Sequence, residues 1–135
     1  MPHLVILYSG NLEALADMGT LCRALADTML AVKDEEGKQV FPIGGTRVLA
    51  YPSAHHAVAD GSRDFGFVYL NLRMGRGRTQ ATQTKAGDAV LACAQKHFEP
   101  IMKNRYIGIT VQVDESPGQV YDGKHSNIHP LFNKG

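Results

Sequence analysis

The sequence predicts an α+β fold of order βαββαβ, with one four-stranded mixed sheet and two helices on one face. Three observations lead there. Short apolar runs open and close each half of the chain, and an amphipathic helical stripe lies between them in both halves. A loop of Pro, Ala, His, Gly and Asp from Pro52 to Asp64 separates the halves. Each helix is long enough to carry a crossover between parallel strands.

The first strand is read in the opening stretch Met1-Pro2-His3-Leu4-Val5-Ile6-Leu7-Tyr8, an apolar run that reads as buried on both faces. Pro2 opens it, at the first strand position, where the ladder does not need the missing N–H. Ser9-Gly10-Asn11 reads as a turn, with Asn11 and Asp17 as candidate N-caps. Leu21, Ala24, Leu25, Thr28, Met29 and Val32 then mark one buried helical stripe. Asp34-Glu35-Glu36 is unfavourable at a helix C-terminus, so the helix should end near Lys33 and give way to a turn at Gly37-Lys38. Val40-Phe41-Pro42-Ile43 leads into a Gly44-Gly45 break, and alternation from Thr46 to Tyr51 predicts the second strand.

The second half repeats this plan. Phe65 to Arg73 is a strand, Gly75-Arg76-Gly77-Arg78 a glycine-rich turn, and Thr79 the cap of a long helix. That helix buries Ala86, Ala89, Val90, Cys93, Ala94, His97, Phe98 and Ile101, and Pro100 should kink its last turn. Ile107, Ile109, Val111 and Val113 alternate with Gly108, Thr110 and Gln112 in the closing strand. The domain is thus expected over 1–115. An irregular tail over 116–135 carries Ile128, Leu131 and Phe132, which need a packing partner on the domain or on a neighbouring subunit.

The chain has 135 residues and 44 % hydrophobic content, enough for one domain with a single core. A formal net charge of +1 argues against a general nucleic-acid surface. The apolar run at the front is too short for a secretory segment, and no window approaches a membrane span. Cys22 and Cys93 fall on apolar helix faces, as expected for reduced thiols in a cytoplasmic protein. With both helices on one side, the second sheet face is left uncovered and reads as apolar, so a homo-oligomer is expected.

Four residues stand out chemically. If Met1 is trimmed, Pro2 becomes a secondary amine fixed to a core strand, with a reference pKa of ~8 against ~10.4 for lysine; if Met1 is retained, that nitrogen is an amide without a basic lone pair. On position alone, a proline after Met1 signifies little. Arg76 and Arg78 sit where strand becomes helix, where free N–H groups add to their positive field, although a solvated basic turn is the plainer reading of GxGR. Arg47 lies within a strand among apolar neighbours and should have a carboxylate partner from the protein or a ligand. His55-His56 and the pair His125 and His129 lack the frame of a metal site and read as surface or packing residues.

Taken together, Met1-Pro2-His3, Phe41-Pro42-Ile43-Gly44-Gly45-Thr46-Arg47, Ala59-Asp60-Gly61, Gly75-Arg76-Gly77-Arg78, His97-Phe98, Asn127-Ile128-His129 and Leu131-Phe132 resemble the tautomerase superfamily. Within it the closest likeness is to the 5-carboxymethyl-2-hydroxymuconate isomerase family. The resemblance covers nearly the whole chain and implies a trimer of tautomerase-like subunits, a small carboxylate substrate, no cofactor and no nucleic-acid or membrane partner. It implies Pro2 as general base and Arg47 and Arg78, with Arg76 nearby, as substrate-carboxylate arginines. Pro2 nitrogen would take the hydroxyl proton of a 2-hydroxymuconate-type di- or tricarboxylate and return it to carbon further along the diene. The segment from Asp34 to Gln39 departs from the pattern as an insertion, and no second arginine follows Arg47 two residues later. Two alternatives remain: a hydratase or dehalogenase of small unsaturated acids, with Asp114 or Glu115 activating water, and a non-catalytic anion- or RNA-binding module using the Gly75 to Arg78 turn.

Overall fold

The computed structural model describes residues 2–132. Four strands, β1 (His3–Ser9), β2 (Arg47–Ser53), β3 (Gly66–Met74) and β4 (Ile107–Glu115), are joined by two helices, α1 (Met18–Leu30) and α2 (Gln80–Met102). The sheet order is β2-β1-β3-β4. β1 runs parallel to β2 and β3 parallel to β4, while β1 and β3 are antiparallel. The mixed βαββαβ sheet is therefore the expected one.

Local chemistry sets the element ends. Asp17 caps α1 by accepting from the Thr20 amide, and Thr79 caps α2 by accepting from the Thr82 amide. Asn11 is no helix cap: its side-chain amide donates to Asp64 and to the Phe65 carbonyl, both at 2.9 Å. α1 ends at Leu30, before the expected boundary, because Val32 and Val40 and then Lys33 and Gln39 pair across the acidic segment. That segment is a tight excursion in which Asp34 accepts from the amides of Glu36 and Lys38. α2 continues past Pro100 to Met102. There the missing N–H removes only a terminal bond.

Leu4, Ile6 and Tyr8 of β1 and Val68, Leu70, Leu72 and Met74 of β3 are buried against the helices. Leu21, Leu25 and Met29 of α1 and Ala86, Val90, Ala94 and Phe98 of α2 complete this core. Each large buried side chain stabilises by roughly 1.5–3 kcal/mol. Only one sheet face is covered, so β1 is not buried on both faces as its composition suggested: Leu7, on the opposite face, is 48 % exposed. The open face is also less apolar than expected. Val5, Leu7, Leu49 and Tyr51 cover its β1 and β2 side, but Asn71, Gln112 and Asp114 make its β4 side polar. Among the described residues no helix is long and apolar enough to cross a membrane.

Candidate active site

The register of β1 brings the proposed residues to one end of the sheet. His3 is paired with Arg47, the first residue of β2, and on its other side with Arg73, near the end of β3. Pro2, directly before His3, is buried, and the Gly75–Arg78 turn leaves β3 at the same end. Pro2, Arg47 and Arg78, far apart in sequence, are thus gathered by strand pairing.

Arg47 and Arg78 hold the two ends of one segment. Arg78 donates Nη2 to the Val40 carbonyl at 2.8 Å and Nη1 to the Gly75 carbonyl at 3.3 Å. Its guanidinium lies 5.9 Å from the centre of the Phe41 ring. Arg47 donates Nη1 to the Gly44 carbonyl at 2.6 Å. Among the described residues no protein carboxylate pairs with Arg47; the backbone acceptor holds one end of the guanidinium without neutralising it. Among the described residues no ion pair involves Arg47, Arg76 or Arg78. Their charge is available to an anion. Arg76 is exposed on the turn.

The start of α2 is not an open anion site. Glu35, from the acidic excursion, accepts hydrogen bonds from the hydroxyls of Thr79 and Thr82, the latter at 2.7 Å. These hydroxyls hold its carboxyl below the usual range. The inserted segment thus supplies the anion that this helix end favours, leaving only arginine side chains for a ligand.

Arg47 also forms a wall of two cavities. One, of about 550 Å³, lies between α1 and the 43–48 segment, lined by Cys22, Ala26, Ile43, Ile128 and Phe132. The other, of about 500 Å³, lies under residues 123–129. The tail closes over this region, with His129 packed on Gly44 so tightly that a Cβ there would fall 2.9 Å from the His129 Cα. His129 Nδ1 lies 3.1 Å from the Ser126 hydroxyl. His55, His56 and His125 are exposed. Burial pushes the Cys22 thiol pKa up, away from thiolate chemistry. Asp114 accepts from the Asn71 amide at 2.8 Å and Glu115 from the Gln83 amide at 2.6 Å.

Two residues at this sheet end escaped the sequence reading. His3 has a buried Nδ1 with no hydrogen-bond partner among the described residues, and its pKa is lowered by burial, then by the amino end of the chain and then by the Arg47 and Arg73 guanidiniums. Arg73 is exposed on the open face. The two-residue period placed Arg73 on that face, but only strand order sets it beside His3.

Comparison with known proteins identifies the family and the fold. The 5-carboxymethyl-2-hydroxymuconate isomerase family matches residues 2–132. A crystal structure of a 5-carboxymethyl-2-hydroxymuconate delta-isomerase is 55 % identical with a TM-score of 0.94, covering 100 % of this chain and 95 % of that one. The crystal structure of a 5-carboxymethyl-2-hydroxymuconate isomerase from Deinococcus radiodurans R1 is 30 % identical with a TM-score of 0.85, covering 98 % and 95 %. The 5-carboxymethyl-2-hydroxymuconate Delta-isomerase of Escherichia coli is 26 % identical over 132 residues, 98 % of this chain and 99 % of that protein. At 16 % identity and a TM-score of 0.59, the fold alone recurs in a fused 4-OT symmetric trimer, covering 93 % and 91 %. With the family matched from Pro2 to Phe132 and the tautomerase fold present throughout, the chain belongs to the 5-carboxymethyl-2-hydroxymuconate isomerase family.

Proposed function

We propose that this protein catalyses keto-enol tautomerisation of a 2-hydroxymuconate-type di- or tricarboxylate, with Pro2 as general base. The observation that carries this reading is the pairing of His3 with Arg47 and Arg73, which sets Pro2 at a sheet end rich in uncompensated arginine charge. Once Met1 is removed, Pro2 bears a secondary amine. Burial and neighbouring guanidiniums both disfavour its protonated form, so the free base is populated at neutral pH. That nitrogen takes the substrate hydroxyl proton and delivers it to a carbon further along the diene. Arg47 and Arg78, assisted by the exposed Arg76, bind the substrate carboxylates and stabilise the dienolate charge. The reaction moves a proton within one molecule and needs no cofactor.

The open sheet face supports assembly as a homotrimer, in which apolar Leu7 and Tyr51 are covered by other subunits. The unit is a domain over 1–115 with a tail over 116–135, of which residues 123–132 lie against the site, in a cytoplasmic enzyme with no nucleic-acid or membrane partner. The test is a spectrophotometric tautomerisation assay on 2-hydroxymuconate and its 5-carboxymethyl derivative. Pro2→Ala is expected to lose roughly 100- to 10,000-fold in kcat. Wild-type rates in that variant, or turnover by protein shown by intact mass to retain Met1, would overturn the reading.

A further inference from the structure

The tail from 117 to 132 lies on the domain without being bonded to it. Ser116 donates its amide to the Met74 carbonyl, but beyond it every hydrogen bond of the tail among the described residues stays within the tail. What fixes it is packing near its end. Ile128 and Phe132 line the cavity against α1, and His129 sits on Gly44. A segment held by so few contacts opens at little cost, as a segment that covers substrate must.

Ahead of that anchor the tail roofs the second cavity. Its volume of about 500 Å³ falls in the range of small-molecule sites, and Arg47 is the lining residue that the domain contributes among those described. The tail supplies Lys124, His125, Ser126, Asn127 and His129, and no described carboxylate lines the space. Lys124 is held by Asp122, and His129 and Ser126 are engaged with each other. His125 and the Asn127 amide make no side-chain hydrogen bond among the described residues, although both line the cavity. Hydrogen-bond donors facing a guanidinium that no carboxylate neutralises match an oxygen anion. Arg47 is in turn paired through β1 with His3, next to Pro2. One residue thus joins this cavity to the sheet end where the proposed reaction takes place.

We propose that residues 123–129 are a strap that closes over the outermost carboxylate of a polycarboxylate substrate, with His125 and Asn127 as its donors, so that the tail sets a preference for three carboxylates over two. This rests on the reading of Arg47 as a substrate arginine. A ligand with an arm that passes Arg47 gives the strap acceptors that the domain does not offer it, and closure then follows from binding. A dicarboxylate without that arm ends at Arg47 and leaves the strap as free to open as before. His125 and Asn127 are specificity residues in this scheme and take no part in moving the proton.

The test has a binding arm that needs no turnover and a kinetic arm. Amide hydrogen exchange of the 123–129 segment, followed by mass spectrometry on the whole chain, should slow several-fold with saturating trans-aconitate, a tricarboxylate, and not with fumarate. His125→Ala and Asn127→Ala, both changes at exposed positions, should each raise KM for 5-carboxymethyl-2-hydroxymuconate roughly 5- to 30-fold. KM for 2-hydroxymuconate and kcat for both should stay within about twofold. Exchange that trans-aconitate leaves unchanged, failure of trans-aconitate to bind, or equal rises in KM for the two substrates would each overturn the strap. If the strap results hold while Pro2→Ala turns over normally, the strap stands and the proline mechanism fails. If Pro2→Ala is inactive but the variants do not separate the two substrates, the proline mechanism stands and the strap fails.

Discussion

Arg78 crosses from the end of β3 to donate to the Val40 carbonyl at 2.8 Å, and in doing so lays its guanidinium against the Phe41 ring. A residue expected to meet substrate thus also fastens the segment that leads to Arg47. Arg78→Lys keeps the charge but loses the planar fork and the ring contact. It should lower stability by about 1–2 kcal/mol and kcat/KM by at least about tenfold. Thermal melts and kinetics on the same sample separate these effects, and a lysine variant with wild-type kcat/KM would remove the bidentate role.

Glu35 should make the start of α2 acid-sensitive. Its carboxyl has a folded pKa below the unfolded value of ~4.3 because the Thr79 and Thr82 hydroxyls donate to the charged form. The stability this contributes is present above pH ~4.3 and disappears as pH falls through the folded value. Glu35→Gln should flatten the dependence of Tm on pH in the acid range. A parallel acid curve for the variant would show that the contact contributes nothing.

Tyr8 should behave in the opposite direction. Its phenol is buried and donates to Glu13, and its pKa is pushed up to about 12 by burial and then by that carboxylate. The folded value exceeds the unfolded ~10, so this contribution is intact below pH ~10 and is lost as pH rises through about 12. Phenolate absorbance should show one of the five tyrosines titrating only as the protein unfolds, and Tyr8→Phe should erase that late component.

Gly44 is a steric gauge of tail docking. A methyl there would lie 2.9 Å from the His129 Cα and 3.2 Å from its ring, so Gly44→Ala must push the tail off or shift the turn beneath it. The expected cost is about 1–3 kcal/mol. Proteolysis should then cut the 116–132 segment faster. Because the Gly44 carbonyl also accepts from Arg47, KM should rise as well. Unchanged cleavage and KM would mean that the tail yields freely.

The fold was legible because each element carries its own period. The alternation from Ile107 to Val113 and the stripe from Leu21 to Met29 each allow one assignment, and two crossovers fix the parallel pairs. Pro2, Arg47 and Arg78 were legible as residue types in a familiar order. Long-range pairing was not. Nothing local in Glu35 announces that it reaches the hydroxyls of Thr79 and Thr82, and Arg73 and His3 become neighbours only through the antiparallel β1–β3 ladder. The hydrogen bond from Arg47 to the Gly44 carbonyl three residues back was likewise not announced by composition.

The two βαβ halves each cover their own strands with their own helix, and the sheet joins them through the ladder from His3–Arg73 to Tyr8–Val68. The stretch 54–64 carries the polypeptide from one half to the other and is tied down at its end, where Asp64 meets Asn11 and Arg105. A backbone severed there would leave the proline and Arg47 on one fragment and Arg78 on its companion, so that neither fragment alone would hold the proposed site and reassociation would be expected to restore activity. The molecule is in this sense a natural candidate for a split enzyme.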